Sequence, residues 1–416
     1  MENTEPLSVV YPRCCGLDVH KRQVQACVLL STSTGEVAQE QRSFGTTTEE
    51  LLALLDWLRE VGCTHVAMEA TGSYWKPIYN LLDGQVAILV VNAAHIKQVP
   101  GRKTDVRDAA WIAGLLRHGL LQPSFIPDRP QRELRDLTRY RMSLINERST
   151  EANRLQKVLE DANLKPASIA SNMLGKSGRE MLDRIVAGET DAVRLAQCAR
   201  GRMKAKIPQL EAALAGTVTE HHRWLLGQQL SHIDDLDARI AALSERIGQL
   251  LAPFVAELDL LDTIPGVGRN TAEVIVAEVG TDMSQFPDAD HLASWAGMAP
   301  GNQVSAGKRK SGKTRKGSRW LRTSLVVAAQ SVGRSKGTTL SARYRAIAAR
   351  RGTKRAAVAV GHSILRAVYH ILSEHQPYDD LRRSPRAPRH RSPEHLVQEL
   401  RAQGFAVTIT PITPAA

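Results

Sequence analysis

The sequence predicts an α/β N-terminal domain of RNase H-like order, a helical middle region with a coiled-coil seam, and a mainly α C-terminal domain with a helix-hairpin-helix. Three observations predict this. Three short β-rich segments precede a helical pattern, and two more strands then alternate with a second helix as far as residue 91. From Pro130 the chain turns into long, charged stretches of helical periodicity. A Pro-Gly-x-Gly turn at 265–268 separates two further helical patterns.

Taken in order, residues 14–18 open an apolar run, and 24–30 are β-rich beyond a turn around Lys21. The polar turn 31–36 leads to an extended stretch at 37–44. Thr46–Thr48 precede Glu49, Glu50 and the helical pattern 51–61, as in an N-capped helix. Residues 65–69 and 86–91 are β-branched runs on either side of a helical 77–82. Helical periodicity returns at 131–164 and 203–252. In the second stretch Ile233, Leu236, Ile240, Leu243, Ile247 and Leu250 repeat at 3, 4, 3, 4, 3. Isoleucine at a with leucine at d favours two parallel strands. An antiparallel hairpin with 131–164 inside one chain accounts for the seam equally well. Further helical patterns lie at 270–279, 289–297, 318–333, 338–350 and 356–374. The expected domains are 10–130, 131–254, 255–375 and a Pro/Arg-rich basic tail, 376–416.

The 416 residues suffice for about two to three domains, each with its own core. No run of about 18 apolar residues predicts a membrane span, and the first ten residues do not resemble a secretory signal. Five cysteines (Cys14, Cys15, Cys27, Cys63, Cys198) without a CxxC pair argue against a disulfide framework or a thiolate zinc site. A cytoplasmic protein without a membrane partner is expected. Charge is more specific. The 55 Lys and Arg against 43 Asp and Glu give +12, but 23 basic and only 5 acidic residues fall in 301–416. A mildly acidic body with a strongly basic C-terminal third implies a polyanion, most simply nucleic acid. With aromatics at 4%, contact with duplex backbone is favoured over stacking on single-stranded bases.

Four carboxylates carry chemistry. Asp18 in CCGLDVHK closes the first strand, and Glu69 in VAMEATGSYW closes a later one. Asp105 and Asp108 are three apart, on one face of a helix. In an RNase H-like sheet the first and fourth strands are neighbours, so these groups can converge on one oxygen-rich pocket. Such a pocket suits Mg²⁺, with Mn²⁺ as the alternative, and a metal pair would stabilise both the attacking and leaving oxygens of a phosphodiester. Singly, each acid has a simpler account as a turn residue or as first-turn charge behind the N-cap Thr104.

In the C-terminal part, Gly266 and Gly268 of IPGVG would let backbone N–H groups approach a phosphate at a helix N-terminus. Lys308, Arg309, Lys310, Lys313, Arg315, Lys316, Arg319 and Arg322 form an acid-free run within 15 residues. Such a run is costly in self-repulsion unless a polyanion neutralises it, and nucleic-acid contact is expected at Lys308–Lys316.

GLDVHK, MEATGSYW and GRKTDVRDAAWIAGLLRHG closely resemble the DEDD-motif transposases of bacterial insertion sequences. LDTIPGVGRNTAEVIVAEVG and LASWAGMAPGNQVSAGKRKSGKTRKGSRWLR resemble the second domain of that family. The resemblance spans roughly residues 13–375, with the motifs in the family's order. It implies a RuvC-like N-terminal domain, with the DEDD set on Asp18, Glu69, Asp105 and Asp108. It implies a nucleophilic serine at Ser305, which local chemistry alone does not distinguish from Ser311 or Ser318. Val304 stands where many members have an acid. It also implies a structured bridge RNA that pairs with donor and target DNA. The function expected is a transposase/recombinase that cuts and rejoins double-stranded DNA through a phosphoserine link beside a DEDD-bound Mg²⁺. Because Asp18 and Ser305 are far apart in sequence, their domains would have to meet, within one chain or across a homo-oligomer (dimer or tetramer). The alternative is a RuvC-like junction nuclease acting by hydrolysis. A non-catalytic nucleic-acid scaffold would explain the charge but not the carboxylates.

Overall fold

The computed structural model describes residues 8–31, 36–70, 72–92, 108–170, 172–301, 303–305, 308–311, 313–314, 316–380, 397, 401–402 and 404–407. The chain divides into two compact units, Met1–Pro127 and Asp128–Ala416.

In the first unit β1 (Arg13–Val19), β2 (Gln23–Ser31), β3 (Val37–Gly45), β4 (His65–Glu69) and β5 (Ala87–Val91) form one sheet, ordered β3-β2-β1-β4-β5. The β1–β2 and β2–β3 pairs are antiparallel, while β1–β4 and β4–β5 are parallel. This is the RNase H-like order the sequence predicts. Strand β1 is central and buried on both faces because its residues alternate between two cores. Cys15, Leu17 and Val19 pack with Leu54, Leu58, Ile78 and Leu82, from α1 (Thr48–Glu60) and α2 (Trp75–Leu82). Cys14 lies on the other face with Ala67, Ile112, Ala113 and Leu116, the last three from α3 (Asp108–Arg117). Thr47 caps α1 by accepting from the Glu50 amide, as expected. The edge strand β3 is largely exposed and carries Glu40 and Arg42, charges that blunt pairing with another chain.

The second unit begins with two long helices, α4 (Arg129–Asp161) and α8 (Glu220–Leu250). They run antiparallel: His222 Nε2 lies 3.0 Å from Asp161 Oδ2, Arg148 grips Asp237, and Arg141 reaches Ser244. The isoleucine/leucine seam therefore pairs within the chain. Ile233, Leu236 and Ile247 are buried, and Ile240, Leu243 and Leu250 are half-buried. The a/d preference for two strands holds for parallel helices, whereas α4 approaches from the opposite direction. Between the long helices lie α5 (Lys176–Val186), α6 (Ala192–Ala196) and α7 (Ile207–Leu214). Their Met181, Leu182, Ile185, Leu195 and Leu210 share a core with Leu155, Leu159, Leu226 and Leu230. The helical stretch expected over 203–252 is interrupted, because Thr219 and His222 form a capping box that starts α8 afresh.

Beyond α8 come α9 (Val255–Asp262), α10 (Arg269–Val279), α11 (Ala289–Trp295), α12 (Arg319–Arg334), α13 (Thr339–Arg351) and α14 (Thr353–Glu374). Between α11 and α12 stands a two-stranded hairpin, β6 (Gln303–Ser305) and β7 (Lys308–Ser311). Helix α14 is long and apolar enough to cross a membrane by length and composition, contrary to the expectation that no segment would be. Half of that stretch is buried, and Val360, Ile364, Leu365 and Val368 make it a core helix of the unit. All five cysteines are buried and free.

Candidate active site

Alternation along the strands decides which way the carboxylates face. Cys14, Gly16 and Asp18 share one face of β1, and His65, Ala67 and Glu69 share the same face of β4, the one covered by α3. Parallel pairing of Leu17 with Met68 sets Asp18 and Glu69 side by side at the carboxyl ends of the two strands. Asp108 is the first described residue of α3. Asp105 lies outside the described residues.

What lets α3 cross the strand here is Gly16. A Cβ on it would stand 2.2 Å from the Ala109 carbonyl oxygen and 2.4 Å from the Ala113 nitrogen. The helix therefore rests on bare backbone, one turn from Asp108 and two residues from Asp18. The sequence motif contains this glycine, but its role depends on a helix nearly a hundred residues away.

Asp18 is the best-defined group. Its side chain is 19% exposed, and the Nε2 of His20 lies 3.1 Å from its Oδ2. Burial pushes the Asp18 carboxyl above its ordinary value, and Asp108 and Glu69 push the same way, against the pull of His20. Three acids from three elements thus share one electrostatic neighbourhood. His20, in the turn between β1 and β2, is a site neighbour that sequence reasoning passed over although it lies in the same motif as Asp18. Hard carboxylate oxygens without thiolate suit a divalent cation such as Mg²⁺. Among the described residues no three acids, histidines or cysteines already stand at ligating distance of one point. The donor chemistry fits the ion.

In the second unit, α9 and α10 are joined by Ile264–Gly268, with Ile264 and Val267 buried. The two glycines differ. Gly266 has φ +83°, and a Cβ there would meet Val332 Cγ2 at 2.5 Å and the Ala328 carbonyl at 2.6 Å, so only a glycine lets the turn pack this closely on α12. Gly268 caps α10 without a side-chain bond, and nothing lies within 4 Å of its Cβ direction. Both glycines are exposed.

The backbone register of the hairpin sets Ser305 opposite Lys308 and Val304 opposite Arg309. Below it, Gly301 donates to the Lys313 carbonyl and Pro300 bridges Thr314. Lys313 and Lys316 are exposed, and Arg315 lies outside the described residues. Ser318, a rival for the nucleophile, is engaged elsewhere. It caps α12 by accepting from the Leu321 amide and donates to Glu278 Oε2 at 3.0 Å. Glu278 is almost wholly buried and also binds Arg139 through two hydrogen bonds of 2.6 and 2.8 Å. Arg135 packs beside it, held by the Ala277 carbonyl, and burial pulls its guanidinium down to about 10. Close by, Arg141 pairs with Glu273 at 2.6 Å. These groups root the long hairpin and the first turn of α12 on α10. The signal for them was a pair of acids, Glu273 and Glu278, in a helical stretch buried from 272 to 279.

With this geometry in place, the comparisons are specific. Residues 15–164 match the DEDD_Tnp_IS110 model, described as "Transposase". Residues 258–345 match the model of the "Transposase IS116/IS110/IS902 family". The chain belongs to this transposase family. The transposase is 26% identical over 330 residues to the transposase for insertion sequence element IS1111A of Coxiella burnetii, covering 77% of this chain and 80% of that one. It is 29% identical over 250 residues to an IS900 42 kDa protein of Mycobacterium paratuberculosis, covering 52% and 60%. It is 29% identical over 123 residues to the pilin gene-inverting protein of Moraxella bovis, covering 29% and 38%. A structure of Thermus thermophilus RuvC aligns over 27% of this chain and 99% of its own, at 13% identity and a TM-score of 0.21. The assignment of the transposase's sheet rests on its strand order instead.

Proposed function

We propose that this transposase cuts and rejoins double-stranded DNA through a covalent link at Ser305, guided by a structured bridge RNA that pairs with donor and target. The observation that carries the serine is its place on the hairpin, opposite Lys308 in an acid-free basic segment, while the Ser318 hydroxyl is committed to Leu321 and Glu278. The Ser305 oxygen forms a bond to the scissile phosphorus as the bond to a deoxyribose oxygen breaks. The serine proton ends on that departing oxygen. A second strand's hydroxyl then displaces the serine, so bond energy is kept and no ATP is consumed. Asp18, Glu69, Asp105 and Asp108 would hold Mg²⁺ or Mn²⁺, which supplies positive charge for the phosphate and departing oxygen. His20 holds Asp18 from the solvent side. Lys308, Arg309 and Lys310, with Lys313, Arg315 and Lys316, would neutralise backbone phosphates, and the Gly268 end of α10 would accept another.

A substrate nicked beside the scissile phosphate tests this reading, because the released end diffuses away and the adduct accumulates. Wild type and Ser311→Ala are expected to trap DNA, Ser305→Ala is not, and mass spectrometry locates the link. Cleavage by Ser305→Ala at the wild-type rate without adduct would establish the hydrolytic nuclease instead. Sequencing of co-purified RNA tests the guide: a single structured species from DNA flanking the gene is expected, and random cellular RNA overturns it. The reading also holds that the protein works as a dimer or tetramer through a surface other than the Ile233–Leu250 seam. Light scattering giving only 45.7 kDa, with and without RNA, would refute that.

A further inference from the structure

From His291 to Ser373 the chain contains 17 Lys and Arg and no Asp or Glu, so the basic region extends well past Arg322. Its second half is placed by α13 and α14, which form a helical corner at Gly352. Arg345, Arg350, Arg351, Lys354 and Arg355 are all exposed around that corner. Among the described residues, none of the five forms an ion pair. Helix electrostatics explains only part of this cluster. Arg350 and Arg351 end α13, where positive charge is favoured, but Lys354 and Arg355 stand in the first turn of α14, where it is disfavoured. Five like charges thus stand within eleven residues, without a counter-charge among the described residues.

The outward face of α13 narrows the partner. Only Leu340 and Ser341 of this helix are buried. Ala342, Arg345, Ala346 and Ala349 are exposed at i, i+3, i+4 and i+7, a face that is slim between its arginines. The major groove of B-form DNA, about 12 Å wide, admits a helix of this kind, whereas the A-form groove of duplex RNA is too narrow and deep. We infer that α13 and the α13–α14 corner form a second contact surface for double-stranded DNA, separate from the Ser305 hairpin. The face of α13 lies along the groove, and the corner cations neutralise phosphates on its rim. Because the arginines read charge, the contact is independent of base sequence.

The full-length protein with Arg345→Gln, Arg350→Gln and Arg351→Gln tests this. The variant is titrated with a DNA duplex of unrelated sequence and with an RNA duplex between about 50 and 200 mM salt. On DNA, affinity is expected to fall at least about 10-fold, and the salt slope to flatten by about 2 to 3, near 0.9 per lost phosphate contact. RNA duplex binding should keep its slope. An unchanged DNA slope overturns the inference, and a loss confined to RNA overturns the choice of partner. If the triple variant melts early, Ala346→Glu on the same outward face decides: weakened DNA binding supports the surface, and unchanged binding refutes it. Ser305→Ala should keep the full salt slope, so failure of the serine assignment and failure of this surface give different results.

Discussion

The sheet unit and the helical unit assemble their candidate groups by different physics. Asp18, Glu69 and Asp108 are carried by a central strand pair and a helix packed on it, so register and alternation leave their positions little freedom. Ser305 stands on a two-stranded hairpin, and the elements around it are fixed from below, through Ser318, Glu278 and Arg139. In the first case topology builds the site. In the second, a buried polar hub holds the base of a charged finger. Perturbing the sheet site should therefore disturb chemistry or packing locally, whereas perturbing the hub should loosen the region that carries the serine.

The largest effect separates chemistry from folding. Asp18→Asn and Ser305→Ala are each expected to reduce strand exchange by at least about 10³-fold, with no loss of thermal stability or DNA affinity. Recombination assays alongside melting curves measure both quantities, and full activity in either variant would break the pairing of the two sites. Next comes Glu278→Gln, which leaves Arg139 and Arg135 without their buried counter-charge and should cost about 3 kcal/mol or more in denaturant unfolding. It should also lower the adduct yield at Ser305. A stable variant with normal yield would mean the hub does not support the finger.

A step smaller is Gly16→Ala. The added methyl would have to displace the backbone of α3, so a loss of about 1–3 kcal/mol is expected, together with reduced activity. Unaltered stability would show that the helix does not rest on the strand as described. Smallest is a pH effect of opposite sign in the two units. Burial raises Asp18 above its ordinary 3.8, so the folded state takes up a proton first. This contribution is present at low pH and is lost as pH rises through the folded value. Burial, with Arg366 and Arg343, lowers His362 below its ordinary 6.5, so its contribution is present above 6.5 and is lost as pH falls through the depressed value. In chelator, Asp18→Asn should raise stability at pH 7 and lose that advantage on acidification, while His362→Gln should flatten the acid side. Parallel unfolding titrations of both variants check the signs.

Much of the sheet unit could be read from sequence because its signals are local. Strand 65–69 coincides with the expected segment, and the other strands differ by a residue or so at their ends. Asp18 and Glu69 stood out as acids closing apolar strands. The pairing of the 233–250 seam could not be read, since a heptad pattern states that a partner exists without naming it or giving its direction. Gly16 and Glu278 were equally hidden, because each depends on a contact more than 90 residues away in sequence. The two glycines of the 265–268 turn looked equivalent, but only Gly266 has a positive φ and packs against α12. The α13–α14 corner was overlooked because the charge run appeared to end at Arg322, whereas exposure continues it through Arg355.

The burial of every cysteine has a practical consequence. The thiolate is the form that alkylating reagents attack. Burial raises Cys14 to about 11 and Cys63 to about 12, and it raises Cys15, Cys27 and Cys198 as well. Slow reaction of all five native thiols with maleimides at neutral pH is therefore expected, and a labelling time course on the folded protein checks it. A cysteine introduced at an exposed position such as Ala346 or Lys316 would be labelled almost alone, so dyes and crosslinkers can be placed on this molecule without removing its native thiols.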